Sequence, residues 1–263
     1  MCTISWLYDH NGYHIFFNRD EQRTREKAQQ PKVHNVAGCK AIFPVDAKAG
    51  GTWIAANEYG LTFALLNYYQ APIDTDAKHL RGLIIPSLLP AKNVAEAHDI
   101  LKRVNLKGFG PFSLLCFSPQ AAGGEKFSDA NRRVPLLRWN GIKLEKVMQT
   151  SPLISSAVDY ENVNAVRSEL YRNIFREKTA LQPMDFYRYH ATHTPVRGHL
   201  SVCMHREDAR TVSFSHVAVG HHVVAFTYLD SAPCCSVSDG VEQGRNLNTA
   251  TLIRKAVAET SFA

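Results

Sequence analysis

The chain has 263 residues, 45% of them hydrophobic and 21% charged, with a net charge of +6. This is ordinary globular composition, and a chain of this length buries roughly 75% of its unfolded surface without disulfide or metal staples. Intrinsic disorder, collagen-like and low-complexity architectures are therefore excluded, and the positive charge tilts the protein toward anionic partners.

The first residues, Met1-Cys2-Thr3-Ile4-Ser5-Trp6, lack the basic-then-apolar pattern of a signal peptide. No apolar run approaches the ~20 residues of a membrane-spanning helix. Cysteines at positions 2, 39, 116, 203, 234 and 235 form no C-x-x-C pair, so neither a zinc ribbon nor a redox motif is expected and no metal site is predicted. With no export signal, no anchor and reduced thiols, the expected location is the cytoplasm.

Thr3 to Tyr8 and Tyr13 to Phe17 read as a β-hairpin around His10-Asn11-Gly12, because Asn-Gly accepts the backbone angles of a tight turn. Thr52 to Ala56 and Leu61 to Leu66 form a second pair, apolar enough to be covered on both faces. His79 to Leu89 reads as helix despite Gly82 and Pro86. Asn93-Val94-Ala95-Glu96 then looks like a capping box opening a helix through Val104. Strands follow at Phe112 to Phe117, Leu136 to Trp139 and Lys143 to Met148, the last two joined by Asn140-Gly141. A helix from about Asn162 to Lys178 aligns Val163, Val166, Leu170 and Ile174. Strands close the chain at Leu200 to Met204, Thr211 to Val217 and Val223 to Tyr228. No repeat, charge block or linker divides the chain, so residues 1–263 read as one layered α+β domain with antiparallel sheets.

Cys2 is the residue with chemical promise. Removal of Met1 would place a thiol and a free α-amine on one residue, and an amine with a reference pKa of about 7.7–8.0 is a base near neutrality. If the first hairpin pairs in register, Cys2 lies beside Arg19-Asp20. A carboxylate there could hold an ammonium, and a guanidinium could lower the thiol pKa. Taken without that neighbour, a Met-Cys start is an ordinary strand opening, and Asn18-Arg19-Asp20-Glu21 is a solvated charged turn.

Met1-Cys2-Thr3, Asn18-Arg19-Asp20-Glu21, and Asn57-Glu58-Tyr59-Gly60-Leu61 running to Leu66-Asn67 together resemble the NRDE family, also named the transport-and-Golgi-organisation 2 family. Val202-Cys203-Met204-His205-Arg206 and Thr211-Val212-Ser213 extend the likeness over nearly the whole chain. More distantly, the layout is similar to N-terminal-nucleophile hydrolases of the choloylglycine hydrolase and penicillin V acylase type. That resemblance implies a four-layer αββα fold with two stacked antiparallel sheets. It implies Cys2 as nucleophile, Arg19 and Asp20 as the charged pair beside it, and Asn67 as an oxyanion-hole amide. A second oxyanion Asn is expected just before a Ser-Pro step, where this chain reads Thr150-Ser151-Pro152, so Ser151 or Thr150 stands in its place. Loss of one such donor typically removes ~10²–10³ in turnover. Arg167 is the counterpart of a distal catalytic Arg.

Two functions follow. The resemblance to the NRDE family implies handling of haem or of an acyl-CoA or lipid-type amphipathic anion, with Arg19, Asn18 and Glu21 as contacts and haem as a ligand rather than a required cofactor. His10, His14 and His205 are among the axial-ligand candidates. The alternative is a Cys2-dependent hydrolase of a small amphipathic amide or thioester. With Met1 attached, the Cys2 nitrogen is an amide and has no basicity, which favours the first reading. Basic residues are dispersed and unaccompanied by stacking aromatics, so no nucleic-acid partner is expected. His221-His222 reads as a turn rather than a metal site.

Overall fold

In a computed structural model of the chain, the described residues are 1–72, 79–119, 132–176, 178, 180–235 and 247–257. Strands β1 (Cys2–Asp9) and β2 (Gly12–Gln22) pair antiparallel, from Cys2 opposite Arg19 to Asp9 opposite Gly12. The Asp9 carboxylate accepts the backbone N–H of Asn11 and Gly12 at 2.8 and 3.0 Å, which closes the turn. Gly12 has φ +147°, and a Cβ there would lie 2.0 Å from the Val219 carbonyl oxygen. Only glycine allows the neighbouring strand to approach so closely.

The remaining strands are β3 (Gln29–Val36), β4 (Cys39–Val45), β5 (Ile54–Asn57), β6 (Thr62–Asn67), β7 (Phe112–Phe117), β8 (Val134–Trp139), β9 (Leu144–Gln149), β10 (Leu153–Ser155), β11 (Ala209–Val219), β12 (Val223–Leu229) and β13 (Asn248–Ile253). They form two antiparallel sheets. One has six strands in the order β10-β1-β2-β11-β12-β13, and the other seven, β3 through β9 in sequence. The helices are α1 (Ile84–Leu88), preceded by a 3₁₀ turn Arg81–Leu83, α2 (Val94–Arg103), α3 (Tyr160–Phe175) and α4 (Pro183–Ala191).

Strand alternation sorts the core into three layers. Ile4, Trp6, Ile15 and Phe17 of the six-stranded sheet meet Ile54 and Leu66 of the other between the sheets. The outer face of the seven-stranded sheet carries α1 and α2 on Phe63, Leu114 and Trp139. Phe16 and Phe214 on the opposite outer face pack against Phe186 and Tyr189 of α4. This is the four-layer αββα arrangement expected. The Tyr13 hydroxyl reaches across the inter-sheet layer and donates to the Gly60 carbonyl at 2.7 Å.

Five elements were absent from the sequence reading: β3, β4, β10, α4 and β13. β3 and β13 are largely exposed and polar, so neither shows the apolar alternation of a half-buried strand. Leu200 to Met204, expected as a strand, is irregular. Its backbone carbonyls serve side chains instead of a ladder: Leu200 accepts from Arg167 and Val202 from Asn18. The helix expected over His79 to Leu89 is confined to Arg81–Leu88, in line with its Gly82 and Pro86. Asn93 caps α2 as expected, its side-chain oxygen accepting Glu96 N–H at 2.8 Å.

Two histidines where α4 meets the six-stranded sheet, His190 on the helix and His216 on β11, are held neutral. Burial, with Arg167 nearby, pushes His190 down to about 3, and burial with His14 nearby does the same to His216. In the unfolded chain both return to about 6.5, so the unfolded state takes up protons first as the pH falls. Their contribution to stability is complete above about pH 6.5 and is lost progressively toward about pH 3. Urea denaturation between pH 7 and 5 should show stability falling with acid, and His216→Phe should reduce that slope by up to about 1.4 kcal/mol per pH unit. An unchanged slope would count against a buried neutral His216.

Candidate active site

The hairpin register sets the site. Cys2 stands opposite Arg19 on β2 and opposite Ser155 on β10, so it is flanked on both sides within the six-stranded sheet. Directly opposed residues share a sheet face and neighbours along a strand alternate. Cys2 and Arg19 therefore face the inter-sheet layer, while Thr3, Asn18 and Asp20 face the helices. Arg19-Asp20, expected as one charged pair, is divided across the sheet, and each member pairs elsewhere.

On the thiol side, Arg19 Nη2 donates to Asp46 at 2.6 Å, and its guanidinium lies 4.3 Å from the centre of the Trp53 ring. Arg25 shares the same carboxylate at 2.9 Å. Burial tends to raise the Asp46 pKa, but the Arg25 and Ala49 hydrogen bonds and the two guanidinium charges outweigh it and hold the group below the usual carboxylate range. Burial also pushes the Cys2 thiol up, with the amino terminus and Arg19 acting in the opposite sense. A thiol in that condition is protonated at neutral pH and weakly nucleophilic.

On the helix side, Arg167 projects from α3 into the space behind β1 and β2. The helical stripe predicted there was Val163, Val166, Leu170 and Ile174; the buried line is Val163, Arg167 and Tyr171, with the arginine at its centre. Arg167 donates to the Thr3 hydroxyl at 2.6 Å, to the His199 carbonyl at 3.0 Å and to the Leu200 carbonyl at 3.3 Å. It stands 3.6 Å from Asp20 Oδ2, and both side chains are sealed from solvent. The Thr211 hydroxyl donates to Asp20 Oδ1 at 2.7 Å, whereas Oδ2 is buried with no hydrogen-bond partner. Burial raises the Asp20 pKa, opposed by Arg167 and by the amino terminus. Met1 lies against this pair: its carbonyl accepts Asp20 N–H at 3.1 Å, and its sulfur is 3.6 Å from Arg167 Nη2.

A cavity of about 420 Å³ opens on the thiol side, lined by Cys2, Arg19, Asn67, Tyr69, Arg81 and Ser155 among others. Glu21 reaches it as expected and lies 3.6 Å from Arg19. Asn67, at the end of β6, donates to the Tyr69 hydroxyl at 2.7 Å, and its backbone carbonyl accepts the Ser155 hydroxyl. Arg81 is positioned by the 3₁₀ turn, where Gly82 O accepts Thr52 N–H at 3.0 Å. Among the described residues, no carboxylate lies within ion-pair distance of Arg81, and its Nη1 donates to the Pro111 carbonyl at 3.1 Å.

Three expected positions do not reach the cavity: Arg167 on the helix side, Asn18 and Ser151. Asn18 is fully buried on the helix face, donating to the carbonyls of His190 and Val202 at 2.9 and 3.0 Å. Ser151 accepts the Trp6 N–H at 3.3 Å, four residues from Cys2 along β1, or ~13 Å at strand spacing. Ser155 stands across from Cys2 in its stead. Neither Tyr69, Arg81, Asp46 nor Ser155 was identified from the sequence, since only the long-range pairing of β10 and the turn at Gly82 brings them there. Among the described residues no histidine lines this cavity. His14 pairs with His216 at 3.0 Å, the exposed His10 lies in the first hairpin turn, and His205 lies beside Cys203 and Cys234.

The profile of the Transport and Golgi organisation 2 family (TANGO2) matches residues 1–178, and the chain belongs to that family. Among solved structures it is similar to a Caenorhabditis elegans N-acylethanolamine-hydrolyzing acid amidase (NAAA) ortholog, with a TM-score of 0.54 at 13% identity, covering 82% of this chain and 92% of that one. It is also similar to two variants of the conjugated bile acid hydrolase from Clostridium perfringens. Their TM-scores are 0.53 and 0.54, at 11% and 10% identity, with coverage of 95% and 99% of this chain and 96% and 100% of theirs. At these identities the likeness shows an N-terminal-nucleophile hydrolase fold. No curated protein sequence matches the chain.

Removing one partner of a buried pair strands the other charge. Arg167→Met should therefore destabilise the protein by about 3–5 kcal/mol in urea denaturation. Combining it with Asp20→Asn should cost clearly less than the sum of the single changes. Strict additivity would show that the two groups do not interact.

Proposed function

We propose that the cavity binds a small amphipathic acyl compound and that Cys2, once Met1 is removed, cleaves its amide or thioester bond. The observation that carries this reading is Asp20 Oδ2, a buried carboxylate oxygen next to Cys2 that has the Arg167 guanidinium at 3.6 Å but no hydrogen bond of its own. A buried acceptor in that condition is costly. A neutral α-amine on Cys2 would donate an N–H to it from the helix side, and the carboxylate would stabilise the ammonium formed when that amine takes the thiol proton, while the thiol points to the cavity.

In the proposed reaction the free α-amine takes the thiol proton, and the sulfur attacks the acyl carbon. The oxyanion falls to the Asn67 side-chain amide, which lines the cavity with Cys2, and to the Ser155 hydroxyl opposite Cys2 once it turns away from the Asn67 carbonyl. The ammonium returns the proton to the leaving amine or thiol, and water then hydrolyses the acyl-thioester on Cys2. Arg81, with no carboxylate partner among the described residues, suits an anionic end of the substrate, and Trp53, Leu65 and Leu80 supply apolar wall.

A second reading belongs to the chain that keeps Met1. There the Cys2 nitrogen is an amide, burial keeps the thiol protonated, and Met1 is seated on Asp20 and Arg167 rather than loose. In that form the cavity would carry an amphipathic anion of the acyl-CoA, lipid or haem kind without cleaving it. Iron ligation by this cavity would fall to Cys2 or Tyr69, because no described histidine lines it.

The two forms can be made separately, one released from a fusion so that it starts at Cys2 and one retaining Met1. Turnover of fluorogenic acyl amides and acyl thioesters is expected only from the first, and Cys2→Ala should lower it by at least ~10³. Equal turnover from both forms, or from Cys2→Ala, would refute Cys2 catalysis. Saturable acyl-CoA binding by the Met1 form without turnover would establish the carrier reading for that form.

A further inference from the structure

A second cluster of reactive side chains lies outside the cavity, where the connection between α4 and β11 meets the 3₁₀ turn Pro233–Cys235. His193, Cys203, His205 and Cys234 each direct a ligand-type atom into one spot, and the four atoms lie within 4.8 Å of one another. We propose that these residues form a structural zinc site that clamps the α4–β11 connection to the turn after β12.

The distances fit the ion. Tetrahedral zinc with bonds of about 2.3 Å to sulfur and 2.0–2.1 Å to nitrogen separates neighbouring S and N ligands by about 3.5 Å. His205 Nε2 is 3.6 Å from Cys203 Sγ and 3.4 Å from Cys234 Sγ. The His193 and His205 rings approach to 5.0 Å at an angle of 73°, so the imidazoles do not stack but converge edge to face. His193 Nε2 is buried without a hydrogen-bond partner, as expected of an atom whose proper partner is a cation. Cys203 is fully buried and the other three are partly buried, which suits a closed site rather than one open to substrate.

The donor chemistry selects the metal. Two thiolates and two imidazoles suit zinc and exclude the oxygen-seeking calcium and magnesium. Two thiolates offset the double charge, and each thiol gives up its proton on binding. Arg197 Nη2 lies 3.3 Å from His205 Nδ1. Metal on Nε2 puts the proton on Nδ1, so this exposed arginine must swing away, which solvent allows.

The clamp has a structural purpose. The same connection supplies the His199 and Leu200 carbonyls to Arg167 and the Val202 carbonyl to Asn18. Met204 N–H donates to Thr211 Oγ1 at 2.9 Å, and that hydroxyl in turn donates to Asp20. Metal at Cys203 and His205 therefore fixes the backbone that seats the Asp20–Arg167 pair, whether or not Cys2 is catalytic.

The test uses the full chain without a polyhistidine tag. Reduced, chelator-stripped protein is titrated with zinc against a chromophoric chelator, and with cobalt to read thiolate-to-metal charge transfer and tetrahedral d–d bands. One tightly held ion per chain is expected, with cobalt bands of a two-thiolate site. Cys234→Ser and His205→Ala should abolish tight binding, while Cys235→Ser, one residue away, should retain it. Near-UV circular dichroism of each variant reports folding, and zinc protection of Cys203 and Cys234 from alkylation in the unmodified chain gives a readout that needs no variant. Absence of binding, lack of protection, or binding that survives Cys234→Ser would overturn the proposal.

Discussion

Asp20 and Arg167 face each other at 3.6 Å with both side chains fully enclosed, and the geometry around Cys2 hangs on that contact. Neither charge can be left alone in such a place without a cost of several kcal/mol. The arginine also donates to the Thr3 hydroxyl on β1 and to the His199 and Leu200 carbonyls. Asp20 adds Thr211 on β11. Three strands (β1, β2 and β11), one helix and an irregular connection are thus indexed to a single guanidinium. As a source of net stability a buried pair is modest, since desolvation consumes much of the attraction. Its effect is positional, and the position it defines is the start of β1.

That position divides the chemistry between two faces of one sheet. Arg19 and Cys2 look into the cavity, while Asp20 and Arg167 stand behind the strand where the main chain of residues 1 and 2 runs. A nucleophile that carries its own amine needs this division, because the thiol must meet the substrate and the amine must be held by the protein. With Met1 in place the Cys2 nitrogen is an amide, and burial raises the thiol pKa. In the proposed function, removal of one residue would turn a binding cleft into a cysteine hydrolase on this scaffold.

Much of this was legible in the sequence. The Asn11-Gly12 turn gave the register, and the register put Cys2 beside Arg19. The apolar runs at 52–66 and 112–117 gave strands covered on both faces. What was hidden depended on contacts far apart in the chain. Ser155, not Ser151, flanks Cys2, because a three-residue strand is too short to show alternation. Asn18 looked like a ligand contact from its place in the tetrapeptide, but alternation along β2 turns it to the helices. Arg167 occupies a core position of α3, where periodicity alone expects an apolar side chain. The Cys/His cluster escaped notice because its members are scattered over residues 193–234 with no familiar spacing, and only the folding of two connections onto each other assembles them.

The central claim is that Cys2 becomes a nucleophile when, and only when, its amine is free beside Asp20. Mixing each form with a medium-chain acyl thioester and quenching at short times should show, by intact mass and peptide mapping, one acyl group on Cys2 of the chain that begins there. Asp20→Asn should reduce the adduct in that chain, and the Met1-retaining chain should show none. Acylation of both forms to the same extent, or acylation mapping to another cysteine, would contradict the account.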